Sequence, residues 1–257
     1  MYKPLENDFQ EIFHVHTWRC KHASMEEDYC YVESAMKLGA TRIVFTDHSP
    51  FPDNPFTNRM DMEQLPEYIE SMKRLKKEYA SGIEVLSGLE MEYLPSFQSF
   101  HKEMYGLYQS GDLDVLMLGQ HFYENQDGSF SFLNEDKSDE YIGLCKAIVD
   151  GVNTGMFQVI AHPDRIFRRC KGWNSDIMRA CYDIIGAAQK NQVMLEKNYS
   201  SMQRKGQYLE HFWIRASGIE NIKGYDAHSV KEMEELWKRN NSFPITQEEI
   251  NRLLGGI

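Results

Sequence analysis

Short apolar runs alternate with longer amphipathic stretches along the 257 residues of this chain. Ile12 to His16, Arg42 to Phe45, Ile83 to Leu89, Asp114 to Leu118, Phe157 to Ala161, Val193 to Leu195 and Ile222 to Tyr225 have the length and composition of strands. Between them apolar residues recur at helical spacing. Leu65, Ile69, Met72, Leu75 and Tyr79 mark a helix from Met62 to Tyr79, and Phe97, Phe100, Met104 and Leu107 mark the next. Tyr141, Leu144, Ile148 and Val152, then Ile177, Cys181, Ile184 and Ala188, mark two more. Ser24-Met25-Glu26-Glu27 reads as a capping box opening a helix that stops at Gly39, and a further helix from Tyr208 to Ala216 stops at Gly218. Ser229 to Glu232 and Thr246 to Glu249 are capping boxes of the same kind. The proline-rich segment Ser49 to Asn58 and the polar segment Asn125 to Asp136 read as loops, the second long enough to overhang a site. Strands alternating with helices in this way predict parallel βαβ units.

Candidate chemistry falls where those strands end. The chain has nine histidines, and all but His101 and His211 lie at or just past the carboxyl end of a predicted strand: His14, His16, His22, His48, His121, His162 and His228. The acids Asp47, Glu90, Glu196 and Asp226 share that location. In a β/α barrel all such ends converge on one rim, where active sites sit. In a regular strand His14 and His16 project on the same side, two residues apart, and can grip one ion. Imidazole with carboxylate suits zinc, manganese or iron, whereas carboxylates alone would suit calcium or magnesium. The donors outnumber the three or four that one ion takes, so two or three divalent ions are expected.

Composition narrows the class. The hydrophobic fraction of 42% and charged fraction of 26% are those of an ordinary globular protein, and the length suits one barrel domain over residues 1–257. A net charge of −11 argues against nucleic acid as a partner. Five cysteines without a regular framework suggest a reducing compartment. With a polar start that is unlike a signal peptide and no apolar run of about 20 residues, a cytoplasmic protein with no membrane partner is expected. His101 and His211, inside helices, read as surface residues. Lys73-Arg74 with Lys76-Lys77, and Lys238-Arg239, read as solvated helix faces. Cys20 is close enough to His22 to ligate, although a lone thiol is more often buried and inert. No glycine-rich phosphate loop or dinucleotide fingerprint is present.

His14-x-His16, His22, Thr46-Asp47-His48, Gly88-Leu89-Glu90, His121, His162-Pro163-Asp164 and Asp226-Ala227-His228 resemble the ordered motifs of the PHP (polymerase and histidinol phosphatase) superfamily. The resemblance spans Phe13 to Ser229 and implies an α/β fold, a distorted seven-stranded TIM-like (β/α)7 barrel, with a trinuclear metal site. It implies that His14, His16, Glu90 and Asp226 hold one ion. Glu90 would bridge to a second bound by His121 and His162, and His22, His48 and His228 would hold the third. Within the superfamily, the segment Gly88 to Tyr93 is most similar to histidinol-phosphate phosphatases. The chain departs from their pattern at Gly119-Gln120-His121, at Tyr225 before Asp-Ala-His, and at Lys197 after strand six.

Metal-assisted hydrolysis of a small phosphomonoester, histidinol phosphate, follows as the expected function. The ions would lower the pKa of a bridging water so that hydroxide forms near neutral pH. Glu90 and Arg165 are the expected catalytic residues. Arg165, Lys197 and Arg204 are the candidates for clamping phosphate oxygens, and Glu92 for receiving the substrate amine. A PHP-type phosphodiesterase or nuclease, a broad phosphoesterase, and a non-catalytic metal-binding domain are the alternatives.

Overall fold

The structure is a computed structural model that describes residues 2–5, 10–170, 172–202 and 207–241. Seven parallel strands close into a barrel in sequence order: β1 (Glu11–Val15), β2 (Arg42–His48), β3 (Glu84–Met91), β4 (Val115–Leu118), β5 (Val159–Ile160), β6 (Met194–Asn198) and β7 (Asn221–Ala227). β7 pairs back to β1 through Phe13 opposite Gly224. The helices are α1 (Asp28–Leu38), α2 (Leu65–Glu78), α3 (Gln98–Ser110), α4 (Glu140–Asn153), α5 (Ser175–Asn191), α6 (Tyr199–Met202), α7 (Gln207–Arg215) and α8 (Val230–Asn241). The parallel βαβ units expected from the alternation of strand and helix patterns are present, and the distorted (β/α)7 barrel implied by the resemblance is the observed fold. No helix among the described residues is long and apolar enough to cross a membrane.

Strand alternation sorts the apolar residues into two layers. Phe13, Val44, Val115, Met117, Val159, Met194 and Ile222, from six of the strands, form a cluster with Tyr2 and Ala161 that includes no helix residue, so they fill the barrel interior. Their neighbours Ile12, Phe45, Leu116, Ile160 and Leu195 pack outward with the helices. Each such side chain contributes about 1.5–3 kcal/mol on full burial. Tyr2 plugs the amino end of the barrel, its ring centroid 5.3 Å from that of Phe13 and its hydroxyl donating to Glu11 Oε1 at 2.9 Å.

The site depends on one break in that alternation. Phe13 faces inward, so a regular β1 would send His14 and His16 outward. Instead Phe13 pairs with Val44 and Val15 with Phe45, which makes His14 the extra residue of a β-bulge, at φ 70°. The bulge shifts the phase by one residue, so His14 and His16 both turn inward while Val15 stays in the outer layer. His162 follows the interior residue Ala161 and is turned back by φ 32°, and Asp226 at the end of β7 has φ 54°. Non-glycine residues in this region cost on the order of 1–3 kcal/mol each and cluster where function requires them.

Two capping expectations change. α1 begins at Asp28, and its N-cap Glu27 makes no side-chain cap. Ser24 and Glu26 are used elsewhere: Ser24 N donates to His228 O at 2.7 Å, and Glu26 Oε2 accepts Val230 N–H at 2.9 Å. They tie the loop after β1 to the start of α8, across the β1–β7 seam. At that start Ser229 Oγ accepts Glu232 N–H at 3.0 Å, while the Glu232 carboxylate caps His228 N rather than Ser229 N. The box at Thr246 to Glu249 lies outside the described residues.

Candidate metal centre

The strand ends deliver the predicted donors to one place. His14 Nε2 and His16 Nε2 are 2.9 Å apart. Asp226 Oδ1 lies 3.2 Å from His16 Nε2 and 3.6 Å from His14 Nε2. Glu90 Oε2 is 3.2 Å from both His14 Nε2 and His48 Nδ1. Its other oxygen, Oε1, is 2.9 Å from His162 Nε2 and 3.6 Å from His121 Nε2. Among the described residues four groups have ligand atoms within 4.8 Å of one another: His14, His16 and Asp226; Glu90, His121 and His162; His16, His48 and His228; and, behind the His16 ring on its Nδ1 side, His16, Cys20 and Asp47. Donors about 2.0–2.1 Å from a tetrahedral ion stand roughly 3.3 Å apart, and the separations around Asp226 and Glu90 run from 2.9 to 3.6 Å. His22 joins the third group at its edge, its ring centroid 4.4 Å from that of His228 and 5.4 Å from that of His48.

A metal-ligating histidine normally gives its other ring nitrogen to a fixed acceptor. That arrangement recurs around this centre. His14 Nδ1 faces Glu196 Oε1 at 2.5 Å, His121 Nδ1 faces Glu92 Oε1 at 2.9 Å, and His16 Nδ1 faces Cys20 Sγ at 3.3 Å. His22 Nδ1 donates to Cys20 O at 2.8 Å and His228 Nδ1 to Asp226 O at 3.0 Å. The inward Nε2 of His228 is buried without a hydrogen-bond partner. A buried polar atom left in that state costs about 1–3 kcal/mol, and an ion would satisfy it.

Electrostatics prepare the same donors. Burial opposes charge on Glu90, but the imidazoles of His14, His121 and His48 outweigh it and hold the carboxyl well below its usual range. Burial likewise opposes charge on Asp226, and His14, His16 and Arg165 keep it ionised. Burial lowers His16, His48 and His162, and brings His228 down to about 4. Against burial, Glu196 and Glu90 raise His14, and Glu90 and Glu92 raise His121, so an ion bound there would displace a proton from each of these two.

Several expectations are corrected by the geometry. Asp47 points out of the barrel, between inward Thr46 and His48, and accepts from Thr17 N and Thr17 Oγ1 at 2.5 Å each and from Cys20 Sγ at 3.1 Å. Cys20, held also by His48 N–H at 3.2 Å, therefore supports His16 from behind. Glu92 turns inward as alternation predicts, but both its oxygens are engaged, by Arg59 at 3.0 and 3.2 Å and by His121. Burial opposes its charge and Arg59 and His121 bring it down to about 2. Glu92 thus holds His121 and also lines the cavity that opens on His48 and His121. Lys197 lies between inward Glu196 and Asn198, so it points outward, its Nζ 5.2 Å from the Trp213 ring centre on α7. It does not reach the rim. Arg165 does: Nη2 donates to Asp226 Oδ2 at 2.8 Å and Asn198 Oδ1 at 2.9 Å, and Nε to Ser201 Oγ at 3.2 Å. Arg204 lies outside the described residues. His101 is buried, not exposed, with Nε2 on Glu92 O at 3.0 Å and its ring stacked on Tyr93. His211 is half-buried against Trp173.

Arg59, which the sequence pattern did not single out, stands beside a cavity of about 440 Å3 that opens on His22, His48 and His121. Phe56, Phe122 and Phe132 wall it, the last from the polar loop expected to overhang the site. A larger groove of about 660 Å3 between α4 and α5 contains none of these donors.

With this geometry in hand, comparison with known proteins is direct. A family model described as the PHP domain matches residues 13–200. A protein of Deinococcus radiodurans named "Probable histidinol-phosphatase" is 32% identical over 163 residues, 59% of this chain and 59% of its own length. The histidinol-phosphatase of Bacillus subtilis is 33% identical over 147 residues, 52% of this chain and 53% of its own. The chain thus matches little more than half the length of these curated relatives. The crystal structure of histidinol phosphate phosphatase from Lactococcus lactis, complexed with zinc, L-histidinol and phosphate, superposes with a TM-score of 0.66 at 22% identity, covering 90% of this chain and 94% of that one. The fold, the donor groups and the family match over most of the barrel agree: this chain belongs to the PHP domain family.

Proposed function

We propose that this chain is a single-domain, metal-dependent phosphomonoester hydrolase whose substrate is histidinol phosphate, and that it serves histidine biosynthesis. Glu90 carries this reading. Its two oxygens face two different histidine groups from the centre of the rim, as a carboxylate shared between ions does. His14, His16, Glu90 and Asp226 would hold one ion, Glu90, His121 and His162 a second, and His22, His48 and His228 a third. Zinc, manganese or iron, when bound, would supply an activated water near neutral pH and neutralise phosphate oxygens.

The remaining work falls to the chain. Arg165, braced by Asp226, Asn198 and Ser201, presents its guanidinium to phosphate oxygens beside the second group of donors. The cavity over His22, His48 and His121 receives the organic half of the ester, and the faces of Phe56, Phe122 and Phe132 suit a flat ring such as imidazole. The names of the Deinococcus and Bacillus relatives and the ligands of the Lactococcus structure support this choice of substrate.

The test is a substrate panel on protein reconstituted with zinc or manganese: histidinol phosphate, p-nitrophenyl phosphate, bis-p-nitrophenyl phosphate and DNA. Histidinol phosphate should give a kcat/KM of about 10⁴ M⁻¹s⁻¹ or more, in the ordinary enzyme range, and exceed the other three. Faster cleavage of the diester or of DNA would replace this reading with a phosphodiesterase. No turnover of any monoester by fully loaded protein would remove it.

A further inference from the structure

Glu196 belongs to none of the ligand groups above, yet its enclosed carboxylate touches two of them. Oε1 lies 2.5 Å from His14 Nδ1, and Oε2 accepts the His162 backbone N–H at 2.8 Å and Asn198 Nδ2 at 3.3 Å. Room for it is made by Gly224 on the neighbouring strand, where a Cβ would collide with Oε1 and stand 2.6 Å from Cγ. The two residues it holds are the left-handed His14 and His162, at φ 70° and 32°. Both rings present Nε2 to Glu90 on their other side, at 3.2 Å from Oε2 and 2.9 Å from Oε1. The His14 imidazole is therefore bracketed by two carboxylates, Glu90 in front and Glu196 behind, and the same Glu196 fixes the His162 backbone.

We propose that Glu196, seated in the gap left by Gly224, is a positioning residue that locks His14 and His162 together and so couples the two ion sites that share Glu90. This rests on the metal reading above. With Nε2 committed to an ion, His14 Nδ1 carries the hydrogen, so both histidine groups facing Glu196 are donors, as is Asn198 Nδ2. A carboxylate accepts from both. A glutamine of the same shape offers one oxygen and one NH2, so it satisfies one donor and opposes the other. One strained turn then loses its anchor, and the His14 ring loses the buried negative charge that strengthens it as a ligand.

The variants are Glu196→Gln and Gly224→Ala, the second keeping the carboxylate but displacing it. Zinc is the probe, its affinity read by competition with a chromophoric chelator, with folding checked by circular dichroism. Both folded variants should bind zinc about 10- to 100-fold more weakly at the sites built on His14 and His162. In zinc-loaded parent labelled with ¹⁵N-histidine, a downfield His14 Nδ1–H resonance should report the short bond to Glu196 and move upfield in Glu196→Gln. Parent-like zinc affinity in either folded variant, or no such resonance in the parent, overturns the coupling alone. A parent that takes fewer than two zinc ions overturns the metal reading and the coupling with it. Should Glu196→Gln not fold, Gly224→Ala and the parent resonance decide.

Discussion

Glu90→Gln should leave a folded chain that has lost ions and nearly all hydrolysis. The carboxylate faces Nε2 or Nδ1 of four imidazoles, His14 and His48 from one oxygen and His162 and His121 from the other. It is buried, and Gly119, just past β4, leaves the space it fills, since a Cβ there would strike its side chain. Glutamine keeps the volume but removes the charge and places an NH2 where one ion must be held. Removing one partner of a buried charged set costs about 3–5 kcal/mol. Expressed as metal affinity, that is about 100- to 10,000-fold. Elemental analysis and kcat/KM on the same sample check it. A variant that kept the parent's metal content and rate would show that Glu90 is not shared between ions.

Arg165→Lys should cost about 10- to 150-fold in kcat/KM for phosphomonoesters, the equivalent of one charge-assisted hydrogen bond of about 1.5–3 kcal/mol. Lysine keeps the positive charge but is a single flexible point donor, whereas the guanidinium spans Asp226, Asn198 and Ser201 in one plane. Since Asp226 is also a proposed ligand, metal content must be measured alongside. A rate loss with metal content retained assigns Arg165 to the phosphate. A loss explained wholly by missing ions would make it a brace for Asp226 instead.

The order of strands and the rim position of the histidines were legible because barrel topology fixes both: every strand delivers its carboxyl end to the same face. What the sequence could not show was phase. His14 and His16 reach the interior only because a bulge inserts a residue at His14, and His162 only because its backbone turns left-handed. Neither event has a glycine or asparagine to announce it. Alternation, applied from the right starting face, would have found that Asp47 and Lys197 point outward. The partners of Glu92 were beyond reach, because Arg59 comes from an irregular loop whose return to the rim depends on Phe51 and Phe56 packing beneath it. A lone histidine within the apolar stripe of α3 reads as exposed, and His101 is buried there because its Nε2 satisfies the Glu92 carbonyl.

The central claim is that His14, His16, His22, His48, Glu90, His121, His162, Asp226 and His228 form one multinuclear metal centre. Elemental analysis of protein reconstituted with excess zinc or manganese and then freed of loosely bound metal tests it most directly. Two to three ions per chain, falling together with activity on chelation and returning with it on reloading, is the predicted result. One ion or none in folded protein would contradict the account.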